Sequence, residues 1–249
     1  MSIAEHRISP FGEKKAARSA AMGVYPAIKP AIDLAVSLVL LVLTFPIMIA
    51  AMMLVRLTSR GPVMYTQHRV GLDGEVFTIF KIRTMYDKSE RQSGATWAVP
   101  GDPRVTPVGR FLRFSHLDEL PQLFNVLSGE MSLIGPRPER PEFLPRLEAE
   151  IPDYRRRLAV RPGVTGLAQV QQPPDTDVNC VRRKLDYDLY YVATMGPWLD
   201  LRIVVATGLK CAGVPFRWIR TLLLLPQPDA NPVLEYVRYD AELASEPLV

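Results

Sequence analysis

Between Asp33 and Arg56 the chain carries no charge, and residues 34–55 are dominated by Leu, Val, Ile, Met and Ala. A helix of this length and apolarity can cross the ~30 Å hydrocarbon core of a bilayer. A buried core helix does not call for so long an uncharged run, so membrane insertion is the preferred reading. The run starts late and lacks a small-residue cleavage site, which argues against a secretory signal. Pro46 interrupts it, removing a helical hydrogen bond and clashing with the preceding turn; Thr44 can bond to backbone loosened there. Lys14, Lys15, Arg18 and Lys29 precede the run, and Arg56, Arg60 and Arg69 follow it. A spanning helix should show asymmetry in such charges. Their balance favours a re-entrant helix that bends at Pro46 and returns to the cytoplasmic side. A kinked single span is the alternative reading of the same residues.

Beyond Gly61-Pro62 the period changes. Val63-Met64-Tyr65 and residues 76–83 predict two short strands around the turn Gly71-Leu72-Asp73-Gly74. Alternation in the second sets Lys81 and Arg83 on one face, with Phe80 and Ile82 on the other. Residues 88–103, rich in turn formers and charge, predict a mobile loop. Helical spacing returns over 120–127, 144–157, 182–192 and 198–209, the last two separated by Gly196-Pro197. Residues 108–114 interleave Arg110 and Arg113 with Phe111 and Phe114, a pattern that suits a membrane surface or a core contact equally. Phe216-Arg217-Trp218-Ile219-Arg220, followed by the apolar residues 222–225, predicts a second membrane contact. Asp186, Asp188 and Asp200 fall where aspartates are ordinarily surface or capping groups. The expectation is an α+β chain, predominantly helical. It comprises a flexible basic arm at 1–27, a re-entrant membrane helix at 28–60, a compact cytoplasmic domain with a small β-hairpin at 61–213, and an amphipathic or apolar segment and tail at 214–249.

The 249 residues are enough for one sizeable domain. A formal charge of +4 suits anionic lipid or phosphorylated substrates. It would suit nucleic acid too, but zinc-finger spacing, a basic helix and interleaved RNA-binding aromatics are all missing. Cys180 and Cys211 are too few for a disulfide framework or zinc site, and His6, His68 and His116 form no ligand cluster. Walker loop, dinucleotide fingerprint and nucleophile elbow do not occur.

Candidate chemistry collects in residues 114–138. Asp118 and Glu119 stand where Leu120, Leu123, Phe124 and Leu127 begin a helical period. Pro121 is tolerable only in a first turn, so Asp118 is the predicted N-cap, in preference to a capping box from Ser115. Gly129 fits the position past the helix end. Carboxylates at a helix start are stabilised as anions by the dipole. Such a pair is more often a cap than a catalyst, and neighbours on a helix diverge too far to flank a glycosidic bond. They can share one metal ion, or act as nucleophile and helper at one phosphorus. Gly135-Pro136-Arg137-Pro138 presents one arginine from a stiffened backbone, suited to phosphate oxygens. Lys81 and Arg83, cations of a kind usually just solvated, become candidates for the same site. So does Arg161-Pro162-Gly163-Val164-Thr165-Gly166, whose glycines can let backbone approach phosphate.

These motifs occur in one order: the apolar run with Pro46; Gly61-Pro62-Val63 with Gln67, Arg69, Gly71 and Gly74; Phe80-Lys81-Ile82-Arg83-Thr84-Met85; Asp118-Glu119-Leu120-Pro121-Gln122; Gly135-Pro136-Arg137-Pro138; the Arg161 to Gly166 loop; and Asp188-Leu189-Tyr190-Tyr191. In that order the chain resembles the bacterial sugar transferases of the monotopic phosphoglycosyl transferase family, over roughly residues 28–213. The resemblance implies transfer of a sugar phosphate from a nucleotide diphosphate sugar, a UDP-sugar, to polyprenyl (undecaprenyl) phosphate. That step opens glycan assembly at the cytoplasmic face of the bacterial inner membrane. Asp118 would be the nucleophile of the catalytic domain, forming a covalent phosphosugar, and Glu119 its partner at a bound Mg²⁺. Arg137 and Arg161 would hold phosphate, with Lys81 and Arg83 as electrostatic support. The implied partners are the nucleotide sugar, polyprenyl phosphate and membrane lipid, with no nucleic acid and a homo-oligomer left open. Larger relatives carry extra transmembrane helices ahead of this unit; here a basic arm precedes it, as in the small form. Phe45 stands before the bend proline where some relatives have Ser, and residues beyond Val214 lie outside the shared pattern. Two rivals stand beside this: a non-catalytic membrane scaffold, which leaves Asp118, Glu119, Arg137 and Lys81 without a role, and a membrane phosphatase or hydrolase, which releases sugar phosphate into water. No motif identifies the sugar.

Overall fold

The computed structural model describes residues 24–87, 89, 101–173 and 177–227. The expected basic arm up to residue 23, most of the loop at 88–103 and the tail from residue 228 lie outside them. The apolar run forms one helix, α1 (Tyr25–Thr58), which starts within the stretch expected as arm. Its 34 residues make it roughly 51 Å long along its axis. Pro26 lies in the first turn, where no N–H is needed, while Pro30 and Pro46 lie inside. Pro46 leaves the Val42 carbonyl without its helical donor. The Thr44 hydroxyl donates instead to the Leu40 carbonyl at 2.7 Å, a back-bond of the kind that bends helices.

The buried positions of α1 fall in two groups, Lys29, Asp33 and Ser37 near its start and Met48, Ala51 and Val55 near its end. Between them Leu38, Val39, Leu40, Val42, Leu43, Phe45 and Ile47 are exposed. Both ends are held by the same domain. At the start, Lys29 Nζ donates to Asp200 at 2.7 Å and the Ser132 hydroxyl donates to Asp33 at 2.6 Å. At the end, Val55 packs in one cluster with Ile82 and Leu112. There Arg83 donates to the carbonyls of Arg60 (2.6 Å) and Ser59 (3.1 Å) and to the Ser59 hydroxyl (2.8 Å).

Strands β1 (Met64–Val70) and β2 (Val76–Ile82) form the expected antiparallel hairpin, with Met64 opposite Ile82 and Val70 opposite Val76. A single 3-10 turn, Leu72–Gly74, joins them. Asp73 and Gly74 take positive φ there (55° and 92°), which these residue types tolerate. β1 runs well past residues 63–65, because pairing with the strongly patterned β2 draws Gln67, His68 and Arg69 into the ladder. Helix α2 (Pro107–Ser115) is capped by the Thr106 hydroxyl, which accepts from the Gly109 N–H at 2.8 Å. A side chain at Gly109 would collide with the Thr84 carbonyl, so α2 lies directly against the chain leaving β2.

Next come α3 (Gln122–Leu127) and β3 (Ser132–Ile134), which pairs in parallel with β4 (Gly163–Thr165). The helix expected over 144–157 is broken: α4 (Leu144–Glu150) stops before Pro152, which has no N–H to continue it. Asp153 then takes a φ of 61°, and a 3-10 turn covers Tyr154–Ala159. Short α5 (Leu167–Gln171) leads to α6 (Val178–Thr194), α7 (Pro197–Cys211) and α8 (Phe216–Leu222). The main core joins Ile134, Leu167, Tyr187, Tyr191, Leu199 and Ile203 with Ile219 and Leu225, so the stretch after residue 214 packs into it. Asp188 and Asp200 depart from the surface or capping roles expected of them. Both are buried: Asp188 accepts from Arg157 at 2.9 Å, and Asp200 accepts from Lys29, Tyr25 (2.6 Å) and Tyr191 (2.9 Å). The chain is mostly helical with a small hairpin and one long apolar helix.

Candidate active site

Helix α2 ends where His116 turns left-handed, at a φ of 56°. One 3-10 turn, Leu117–Glu119, follows, and α3 begins only at Gln122, after Pro121. This corrects the expected single helix capped by Asp118. Pro121 cannot donate a helical hydrogen bond, and the Asp118 side chain caps nothing. Ser115 forms no capping box either; its hydroxyl donates back to the Phe111 carbonyl at 2.9 Å. Leu117 and Leu120 pack on the cluster of Val55, Ile82 and Leu112, fixing the turn between α1 and β2.

The two carboxylates sit in different surroundings. Glu119 Oε1 accepts from Lys81 Nζ at 2.8 Å and from Arg137 at 2.6 Å, and a second Arg137 nitrogen lies 3.4 Å from Oε2. Burial pushes the Glu119 carboxyl up, but Arg137 and Lys81 outweigh it and hold it well below the usual range. Asp118 is equally buried and has no hydrogen-bond partner among the described residues. Burial, followed by the neighbouring Glu119 charge, raises its carboxyl to about 6. The expected anion stabilisation by a helix dipole is therefore corrected. Cations stabilise Glu119, and Asp118 is left destabilised as an anion.

Lys81 follows Phe77 and Ile79 along the alternation of β2 and reaches Glu119 from the hairpin. Arg137 comes from the loop after β3. There Gly135 and Gly163 cross backbone to backbone: Gly135 N–H donates to Thr165 and Gly163 N–H to Pro136, both at 2.9 Å. A side chain on either glycine, or on Gly166, would collide with the opposing main chain. The space these glycines leave is filled by protein backbone, where the sequence suggested a phosphate approach. Arg161 lies in that crossing and makes no ion pair with either carboxylate. Nor is Arg83 drawn to them, since its guanidinium is spent on Ser59 and Arg60. The structure thus brings together Asp118, Glu119, Lys81 and Arg137, and pairs neither Arg83 nor Arg161 with the carboxylates.

A family model described as bacterial sugar transferase matches residues 24–213. The chain belongs to that family. It is 44% identical over 200 residues to the UDP-N-acetylgalactosamine-undecaprenyl-phosphate N-acetylgalactosaminephosphotransferase of Aeromonas hydrophila, covering 80% of this chain and 44% of that one. It is 41% identical over 181 residues to a UDP-glucose:undecaprenyl-phosphate glucose-1-phosphate transferase of Caulobacter vibrioides, covering 72% and 67%. The exopolysaccharide production protein PSS of Rhizobium leguminosarum is 37% identical over 186 residues, covering 72% and 92%. The chain therefore spans less than half of the Aeromonas relative's length.

In this sugar transferase, three further residues shape the site that the sequence did not single out for it. Arg157 is buried and donates to Asp188, to the Tyr154 hydroxyl (2.9 Å) and to the Arg137 carbonyl (2.8 Å). Arg69 donates to the next carbonyl, that of Pro138, at 3.0 Å. The loop carrying Arg137 is thus gripped by its main chain from two directions. Asn125, fully buried, accepts from the Phe80 N–H (3.2 Å) and donates to the Thr78 carbonyl (2.7 Å), locking α3 to β2 beside Lys81. The signal for Arg157 was faint, because Arg155-Arg156-Arg157 reads as one basic cluster.

Proposed function

We propose that this sugar transferase moves a sugar 1-phosphate from a UDP-sugar to undecaprenyl phosphate in two displacements through Asp118, opening assembly of an exopolysaccharide or similar glycan. The observation that carries the proposal is Asp118, a buried carboxylate with no hydrogen-bond partner among the described residues, beside a Glu119 whose charge Lys81 and Arg137 already meet. The substrate classes come from the names of the Aeromonas and Caulobacter relatives. In the first displacement an Asp118 oxygen bonds to the phosphorus that carries the sugar. The bond from that phosphorus to the bridging oxygen breaks, and its electron pair leaves with UMP. In the second, an oxygen of undecaprenyl phosphate bonds to the same phosphorus and the Asp118 carboxylate departs. Phosphoryl transfer asks mainly for alignment and neutralisation of charge, and Lys81 and Arg137 stand where both can be supplied.

Among the described residues no three His, Cys, Asp or Glu side chains gather as a metal cage. Mg²⁺ does not require one, since it is commonly held by one or two carboxylates together with substrate phosphates. A buried Asp118 that receives no hydrogen bond fits that habit, and Asp118 with Glu119 would hold the ion. When bound, Mg²⁺ offsets repulsion between carboxylate and diphosphate.

The arrangement of α1 supports a re-entrant helix at the cytoplasmic face of the inner membrane. Its middle is exposed and apolar, while both its ends bond to one domain. A perpendicular span would carry one of those ends to the far side of the bilayer from the domain that binds it.

The test is a rapid-quench reaction of enzyme, Mg²⁺ and a competent UDP-sugar without lipid. The expected result is release of UMP and a sugar phosphate mass on the Asp118 peptide, with both lost in Asp118→Asn and in excess chelator. Neither product from a wild-type enzyme that completes full turnover would remove Asp118 as nucleophile. Steady release of free sugar phosphate without lipid would make the protein a hydrolase.

A further inference from the structure

Four consecutive carbonyls in the loop that carries Arg137 each accept from a different part of the chain. Pro136 accepts from the Gly163 N–H at 2.9 Å, and Glu139 from the Val70 N–H at 2.8 Å. Between them, Arg137 accepts from the Arg157 side chain at 2.8 Å and Pro138 from that of Arg69 at 3.0 Å. Pro136 and Pro138 also fix φ on either side of Arg137. The main chain at Arg137 is therefore set, and what its guanidinium can reach is set with it. Of the two side-chain donors Arg157 is the buried one, and each of its nitrogens has a partner. Nε donates to Asp188 Oδ2 at 2.9 Å, and one terminal nitrogen donates to the Tyr154 hydroxyl at 2.9 Å. The other bonds the Arg137 carbonyl and lies 2.7 Å from Asp188. Stability alone does not ask for a guanidinium in this place. Apolar side chains of similar volume often stabilise a core as well as a buried ion pair does, but they cannot donate to a carbonyl.

We propose that Asp188 and Arg157 are positioning residues for the transfer: Asp188 fixes the Arg157 fork, and Arg157 holds the Arg137 main chain so that the Arg137 guanidinium is aimed at the reacting phosphate. The inference rests on the transferase function above and adds what sets the geometry of that site. It also gives a task to Asp188, which opens the Asp188-Leu189-Tyr190-Tyr191 motif and lies buried on α6. The line of contact runs from Asp188 through Arg157 to the Arg137 carbonyl, and from the Arg137 guanidinium to Glu119 at 2.6 Å. The planar fork of an arginine suits this work, because it meets carboxylate, hydroxyl and carbonyl at once in one fixed plane. Charge on a transferring phosphoryl group is met best by groups already in place. A displaced Arg137 therefore costs rate more than it costs binding, and a misplacement of about 1 Å can cost about 10²-fold.

The experiment compares the full chain in detergent with a charge-free double variant, Arg157→Met with Asp188→Leu, which fills the same space without the donor. Both are melted, and both are assayed with a competent UDP-sugar, Mg²⁺ and undecaprenyl phosphate. The double variant is expected to melt close to wild type, with kcat lower by roughly tenfold to 10²-fold and KM for the UDP-sugar little changed. A cycle with Arg137→Ala separates positioning from packing. Once the Arg137 side chain is gone, adding the same two changes should slow UMP release little further, because losses that act through one residue do not multiply. If the double variant does not fold, Tyr154→Phe carries the test. It removes only the hydroxyl that accepts from Arg157, leaves the ion pair, and should lower kcat about fivefold, the kinetic equivalent of one hydrogen bond. Wild-type kcat in the folded double variant, or in Tyr154→Phe where that variant is the one used, would overturn the proposal. So would losses that multiply with Arg137→Ala, which would leave Asp188 and Arg157 as packing alone. The transferase function fails separately, as a wild-type enzyme that turns over no UDP-sugar.

Discussion

Burial raises the Asp118 carboxyl to about 6, while Arg137 and Lys81, against burial, hold Glu119 well below its usual range. An acid whose pKa is higher folded than unfolded binds more protons in the folded state. The stability linked to Asp118 is therefore fully present below its ordinary value of 3.8 and is lost as pH rises to about 6. Over that window the loss amounts to roughly 3 kcal/mol. In metal-free buffer Asp118→Asn should melt several degrees above wild type at pH 7 and level with it at pH 4. Wild-type turnover should fall as pH drops below about 6. Scanning calorimetry and a pH profile check both, and equal melting at pH 7 would contradict the electrostatics. The four residues that do gather were legible because each carried a chemical reason to be there: Asp118 and Glu119 for a metal ion or a phosphorus, Lys81 and Arg137 for an anion. Arg83 was grouped with the site although its guanidinium is spent on Ser59 and Arg60, and Arg157 was passed over, because sequence does not say which arginine is buried. In Arg155-Arg156-Arg157 only the last turns inward, with a side chain 8% exposed against 66% for Arg155, and the 3-10 turn after Asp153 decides it.

Among elements, strong periodicity was readable and punctuation was less so. The hairpin and the helices α6 and α7 appear where alternation and helical spacing put them. Short turns failed: residues 117–127 and 144–157 each divide into two pieces, where local backbone choices at His116, Pro121 and Pro152 override the apolar period. For α1 the sequence left a re-entrant bend or a kinked span, and the re-entrant proposal rests on the two-ended attachment through Asp200, Ser132 and Arg83. Cysteines at Val24 and Arg60, both exposed, in a background lacking Cys180 and Cys211, report the topology. Both should react with an impermeant thiol reagent only in inside-out vesicles. Reaction of position 24 in right-side-out vesicles would restore a single span.

At the scale of the molecule, α1 is a structural part of the domain. Met48, Ala51 and Val55 complete the cluster that holds Ile82 and Leu112, and Leu117 and Leu120 of the carboxylate turn rest on it. Removing the chain through Arg60 would expose that face, strip Arg83 of its acceptors at Ser59 and Arg60, and leave Asp200 without Lys29. Breaking a buried charge from its partner commonly costs about 3–5 kcal/mol, a large share of the ~5–15 kcal/mol by which domains are stable. A chain beginning at Gly61 is therefore expected to lack a cooperative melting transition, even though residues 61–213 contain every member of the carboxylate site. Purification of that fragment beside the full chain, with circular dichroism on heating, tests this. A soluble fragment with a sharp transition would show that the site's scaffold does not depend on α1. The site would then be a self-standing domain on a separable anchor.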